Sequence, residues 1–192
     1  QTQSWTNPMY PQWQGDDITA NPGSNKQACA ALDAFASDGA NKGVTDAWNQ
    51  HYSVIKAANL ITESASKAPV AQDKIDVALG NAHFWRAYAY YYLVRVFGPV
   101  PLITGTDVSQ LEVAPSSVEK VYELIVSDLK AAVNELPTKY EKEPSRLFGV
   151  DIWTTKQAAQ ATLSAVYMSM AGYPLNKGTE YYKLAAEQAK SG

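Results

Sequence analysis

Apolar residues recur at spacings of three and four over most of this 192-residue chain, a period that selects amphipathic helices over strands. From about Gln27 to Ser37 an Ala-rich stretch carries Leu32 and Phe35 as its apolar payload before Asp38-Gly39 breaks it. A second helix is predicted from Thr45 or Asp46 to about Lys67, with Trp48, Tyr52, Ile55, Asn59 and Thr62 on one stripe. The third, about Gln72 to Phe97, aligns Ile75, Leu79, Ala82, Arg86, Ala89, Leu93 and Val96 and is stopped by Gly98-Pro99. Tyr88, Tyr90, Tyr91 and Tyr92 point around the whole helix, so it must be surrounded by other helices. Two arginines and a short apolar run argue against a bilayer span.

Arg86 is the misfit on its stripe. An unpaired guanidinium there would cost several kcal/mol, so the pattern predicts an acceptor inside the bundle, with Arg86→Met tolerated better than Arg86→Ala. Asn59 likewise interrupts an otherwise apolar face.

Pro115 and a Ser116-x-x-Glu119 capping box open a fourth helix, closed at Leu136-Pro137. Its inner face is Val118, Val121 or Tyr122, Ile125, Leu129, Ala132 and Leu136. Thr154-x-x-Gln157 offers a second box for a fifth helix, with Ala159, Leu163, Val166 and Met170 inside and Gly172 at its end. A sixth runs from about Thr179 to Lys190 with Tyr182, Ala185, Ala186 and Ala189 on one face. The hairpins at about 72–136 and 156–190 look alike, and the second matches the roughly 34-residue tetratricopeptide period. The fold class is all-α: a helical bundle with tetratricopeptide-like hairpins.

Residues 1–25 differ from the rest. They hold Trp5, Tyr10, Trp13, three prolines, two glycines and Asp16-Asp17, with neither helical nor strand period. No helix claims these aromatics, so they either contact a ligand or clamp the loop to the bundle. Asp16 and Asp17 could accept hydrogen bonds from sugar hydroxyls, although adjacent acids beside a glycine also make a solvated turn. Trp48 and Trp85 lie on helix faces and are expected to pack.

Sixteen basic and nineteen acidic residues give a net charge of -3, spread without blocks, which argues against a nucleic-acid partner. The single cysteine, Cys29, forms no intrachain disulfide and sits among Ala and Leu as a small core residue. His51 and His83 lie on different helices and match no zinc spacing, so they read as packing or hydrogen-bonding residues. No nucleophile elbow, P-loop or dinucleotide fingerprint occurs. The chain is expected to be non-enzymatic, with no cofactor or metal.

Four stretches, in order, resemble the SusD/RagB family. They are Trp48-x-x-x-Tyr52-x-x-Ile55-x-x-Ala58-Asn59; His83-Phe84-Trp85-Arg86-Ala87-Tyr88 through Phe97-Gly98-Pro99-Val100-Pro101-Leu102; Val121-Tyr122 through Asp128-Leu129-x-x-Ala132 to Leu136-Pro137; and Lys156-x-x-Ala159 through Leu163-x-x-Val166-Tyr167-Met168. The resemblance spans about residues 44–190. It implies that residues 1–192 are the N-terminal, tetratricopeptide-containing part of a SusD-like domain without its lipid anchor and C-terminal portion. It also implies nutrient binding at the outer-membrane surface, with an oligosaccharide or peptide delivered to a SusC-like TonB-dependent transporter. The family's ligand contacts sit in variable loops, so none transfers by motif, and Arg86 and Asn59 read as fold determinants. The ligand-binding candidates are Trp5, Tyr10, Trp13, Asp16 and Asp17. A tetratricopeptide-type scaffold whose groove holds a partner segment remains the alternative.

Overall fold

In the computed structural model, described residues are 15, 19–20, 23, 27–107, 112–141, 146–147, 150–151 and 153–191. Six α-helices dominate them: α1 (Gln27–Asp33), α2 (Lys42–Ser64), α3 (Gln72–Phe97), α4 (Val118–Glu135), α5 (Lys156–Ala171) and α6 (Thr179–Ser191). Two short antiparallel ladders accompany them. β1 (Val100–Pro101) pairs with β2 (Pro115–Ser116), and β3 (Arg146–Leu147) with β4 (Val150–Asp151). The described fold is therefore the all-α architecture that the periodicity predicts.

The chain divides into two compact units, residues 1–53 and 54–192. In the first, Ala20, Cys29 and Leu32 form a small buried cluster flanked by Ala30 and Val44. Asn41 organises this unit: its Oδ1 accepts from Gly43 N at 2.8 Å and its Nδ2 donates to Ala28 O at 3.0 Å. That cap starts α2 three residues before the predicted Thr45, because an Asn at the N-cap satisfies a backbone donor that would otherwise be orphaned. α1 is shorter than predicted. Phe35 lies past its end at φ 52 and is 74% exposed, so it is not core payload.

In the second unit, each helix from α3 to α6 packs against its sequence neighbour, giving two stacked hairpins, α3–α4 and α5–α6. Of the predicted α3 stripe, Ile75, Ala82, Arg86, Ala89 and Leu93 are buried. On α4, Val121 and Tyr122 are both buried, as are Ile125, Leu129 and Ala132. Gly80 lets α3 approach the end of α4 closely: a Cβ there would stand 2.8 Å from Leu136 Cγ. Gly98, at φ 73, ends α3 in a conformation that favours glycine and turns the chain into β1.

Both caps fall one residue later than the predicted boxes. Ser117 caps α4 by accepting from Lys120 N, and Thr155 caps α5 by accepting from Ala158 N. The preceding residues have other work: Ser116 pairs with Val100 in the ladder, and the Thr154 carbonyl accepts from Tyr140 OH at 2.8 Å. Neither Glu119 nor Gln157 is then at the third helical position, so neither box closes; Gln157 Oε1 is buried with no hydrogen-bond partner among the described residues. On α6 the inner face also differs. Ala185 is buried, whereas Tyr182, Ala186 and Ala189 are exposed and Tyr181, Leu184 and Gln188 fill the flank.

Candidate functional site

The predicted ligand-binding residues Trp5, Tyr10, Trp13, Asp16 and Asp17 lie outside the described residues. The best-defined polar centre is in the second unit, where Arg86 meets its predicted acceptor. Its Nε donates to Asp128 Oδ2 and its Nη2 to Asp128 Oδ1, both at 2.7 Å, a bidentate fork between α3 and α4. Nη1 donates to Asn59 Oδ1 at 2.9 Å, bringing in α2. Asn59 is 0% exposed, Arg86 7% and Asp128 4%.

Periodicity explains the convergence. Arg86 sits on the inner stripe of α3, Asp128 occupies the turn between Ile125 and Leu129 on α4, and Asn59 follows Ile55 and Ala58 on α2. Burial disfavours the Arg86 charge, but the hydrogen bonds and charge of Asp128 outweigh it and hold the guanidinium above its ordinary pKa.

The cluster extends to the backbone after β1. With Oδ1 taken by Arg86, Asn59 turns its Nδ2 toward two carbonyls, Ile103 O at 2.9 Å and Gly105 O at 3.1 Å. Tyr90 OH accepts from Ile103 N at 2.7 Å and lies 3.2 Å from Ile103 O, to which it donates. Burial pushes the Tyr90 hydroxyl up to about 12. On the outside, Glu63 accepts from Thr106 N at 2.8 Å and from the Thr106 hydroxyl. Those bonds hold its carboxyl below the usual range.

The histidines behave as predicted. His51 Nδ1 lies 2.6 Å from the Ala47 carbonyl, with burial lowering its pKa, and His83 Nδ1 lies 2.7 Å from Glu135 Oε2. No group of three or more His, Cys, Asp or Glu among the described residues could hold a metal ion, and no described helix is long and apolar enough to cross a membrane. With its donors and acceptors turned inward on each other and on backbone, the Arg86 cluster can hold elements together but offers no nucleophile or proton relay to a substrate.

The aromatics divide in a way the sequence did not reveal. Tyr90 is fully buried, but Trp85 is 48% exposed and Tyr88 47%, so Trp85 is not packed as predicted. Their rings meet edge to face at 5.9 Å and 73°. α3 packs against α4, α5 and β1, and Trp85 and Tyr88 fall on a side of it that stays exposed. The arithmetic of a helix greasy all round could not say which side that would be.

Sequence and fold comparisons agree with this architecture. Residues 2–168 match the SusD-like family described as "Starch-binding associating with outer membrane", and the chain belongs to that family. It is 33% identical over 135 residues to SusD-like protein P2 of Formosa agariphila, covering 68% of this chain and 25% of that protein. A SusD-like protein of Bacteroides ovatus is 30% identical over 144 residues, 72% of this chain and 24% of the relative. The chain thus spans about a quarter of the length of the curated relatives it matches. Among solved structures, a SusD superfamily protein from Parabacteroides distasonis superposes with a TM-score of 0.82 at 24% identity, over 97% of this chain and 38% of that one. Another, solved with a xylogluco-oligosaccharide, superposes with a TM-score of 0.78 at 25% identity, over 98% of this chain and 36% of that one.

Proposed function

We propose that the protein captures glycans at the outer-membrane surface without hydrolysing them and passes them to a SusC-like TonB-dependent transporter. The observation that carries this reading is the family match over residues 2–168. The oligosaccharide bound to a structural relative of the same fold supports the ligand class. In this reading the helical hairpins are scaffold, and the aromatic segment with Trp5, Tyr10, Trp13, Asp16 and Asp17 contributes ring faces for stacking and carboxylates for sugar hydroxyls. In this reading a lipid anchor holds the protein at that surface.

A second reading, a helical-repeat scaffold for a protein partner, is favoured by one feature. Trp85 and Tyr88 are exposed but edge to face, an apolar knob rather than the flat platform on which a pyranose ring stacks.

The test is calorimetric titration of the whole gene product against a panel of polysaccharides and peptides, with product analysis for turnover. A polysaccharide ligand, no hydrolysis, and weakened binding in Trp5→Ala and Trp13→Ala support the glycan reading. Binding of a glycan that neither substitution alters removes the site assignment, and binding only of peptides removes the ligand class.

A further inference from the structure

The chain from Val100 to Asp107 is irregular after its first two residues, yet three side chains from two helices seize it within four positions. Asn59 takes the Ile103 and Gly105 carbonyls, Tyr90 takes the Ile103 amide, and Glu63 takes the amide and hydroxyl of Thr106. These ties differ in kind. Asn59 and Tyr90 are buried, and the orientation of Asn59 is fixed by Arg86, itself clamped by Asp128. Neither of these two side chains carries a group that gains a proton in acid as a carboxylate does: the Asn59 amide does not titrate, and the Tyr90 hydroxyl ionises only at about 12.

Glu63 is one turn further along α2, at the surface. Its tie depends on a charged carboxylate accepting two hydrogen bonds, and protonation would convert one oxygen from acceptor to donor. Glycine at 105 keeps the approach open, since a Cβ there would lie 3.2 Å from Glu63 Oε1. The charged groups acting on Glu63 are Lys67, which favours its ionised form, and Asp107, which opposes it.

We propose that residues 103–106 form a strap held on α2 and α3 by a two-part latch, with Asn59 and Tyr90 as its permanent inner hold and Glu63 as its acid-releasable outer hold. At neutral pH both halves are closed. Because the Glu63 carboxyl sits below the ordinary range in the closed form, the outer hold persists through mild acid and is lost as pH falls through that lowered value. Glu63 then releases Thr106 while Asn59 and Tyr90 keep Ile103 fixed.

The experiment is backbone amide NMR of the whole protein through a pH series, with exchange protection measured at Ile103 and Thr106. In the parent, the Thr106 amide resonance shifts with a midpoint below the ordinary carboxylate range, while Ile103 stays protected. Glu63→Ala lowers Thr106 protection by about tenfold at neutral pH and leaves Ile103 unchanged. Glu63→Gln retains an acceptor, so it abolishes the pH-dependent shift without unfolding the strap. A Thr106 amide that titrates identically in Glu63→Gln and parent overturns the proposal, as does joint loss of Ile103 and Thr106 protection in Glu63→Ala.

Discussion

The two hairpins of residues 54–192 solve the same packing problem with different chemistry. In α3–α4 the inner faces meet around a buried ion pair, Arg86–Asp128, which also reaches α2 through Asn59. In α5–α6 the described contacts include no ion pair: Tyr167 meets Tyr181 edge to face at 5.9 Å, and the polar ties are neutral, Ser164 Oγ to Ala185 O at 2.8 Å and Gln160 Nε2 to the Ser191 carbonyl and hydroxyl at 3.2 and 3.0 Å. Apolar burial is directionless, so a stripe of Ala and Leu tolerates sliding by a turn, whereas a bidentate fork closes in one register only. The longer helices, of 26 and 18 residues, carry the fork; those of 16 and 13 do without it. Here the buried charge fixes which turn of α3 faces which turn of α4, and the second hairpin inherits its placement by packing on α4.

The comparison breaks most readily at the ion pair. Arg86→Ala or Asp128→Ala is expected to cost about 3–5 kcal/mol, because each leaves an uncompensated buried charge. Arg86→Met should cost less than Arg86→Ala, since it keeps the stem packed, and Asp128→Ala should cost the most, since it strands the guanidinium. Urea unfolding curves rank the three.

Next comes the close approach at the end of the first hairpin. Gly80→Ala gains helix propensity, yet its new Cβ would stand 2.8 Å from Cγ of Leu136, a side chain only 4% exposed, and 3.1 Å from Glu135 Cβ. Overpacking of this kind costs about 1–3 kcal/mol and should outweigh the roughly 1 kcal/mol gained from propensity, giving net destabilisation in thermal melts. The second hairpin should respond less. Ser164→Ala is expected to lose about 0.5–1.5 kcal/mol in the same melts, the net worth of one neutral hydrogen bond. Smaller still are the caps: Ser117→Ala and Thr155→Ala should each cost about 1 kcal/mol or less, while Ser116→Ala and Thr154→Ala should leave the caps intact.

Much of this was legible in the sequence, and the failures have physical causes. The bounds of α3 followed from its period and from Gly98, and the need for a partner at Arg86 followed from a charge on an apolar stripe. The identity of that partner did not follow, because nineteen acids compete and only the crossing of α3 and α4 selects Asp128. Asn59 was visible as an interruption, but its double grip on Ile103 and Gly105 depends on a chain reversal between β1 and β2 that no periodicity reports. The capping boxes slipped by one residue because two adjacent hydroxyl residues precede each helix and tertiary pairing took the first of each pair. Spacing alone points Phe35 and Trp85 inward; a left-handed turn places Phe35 outside, and Trp85 falls on the exposed side of α3. Trp5, Tyr10, Trp13, Asp16 and Asp17 stand on composition and on the lack of periodicity around them, and their role is part of the proposed function.

The claim that Arg86 and Asp128 act as one locked pair in the first hairpin is tested most directly by a double-mutant cycle on the two residues. The substitutions are Arg86→Met, Asp128→Leu and the pair, each measured by urea unfolding at neutral pH. The account predicts strong non-additivity: the double variant recovers most of the stability that either single change removes, with a coupling of about 2–3 kcal/mol. Costs that add to within about 0.5 kcal/mol would contradict it, because the two groups would then be contributing independently rather than as one locked pair.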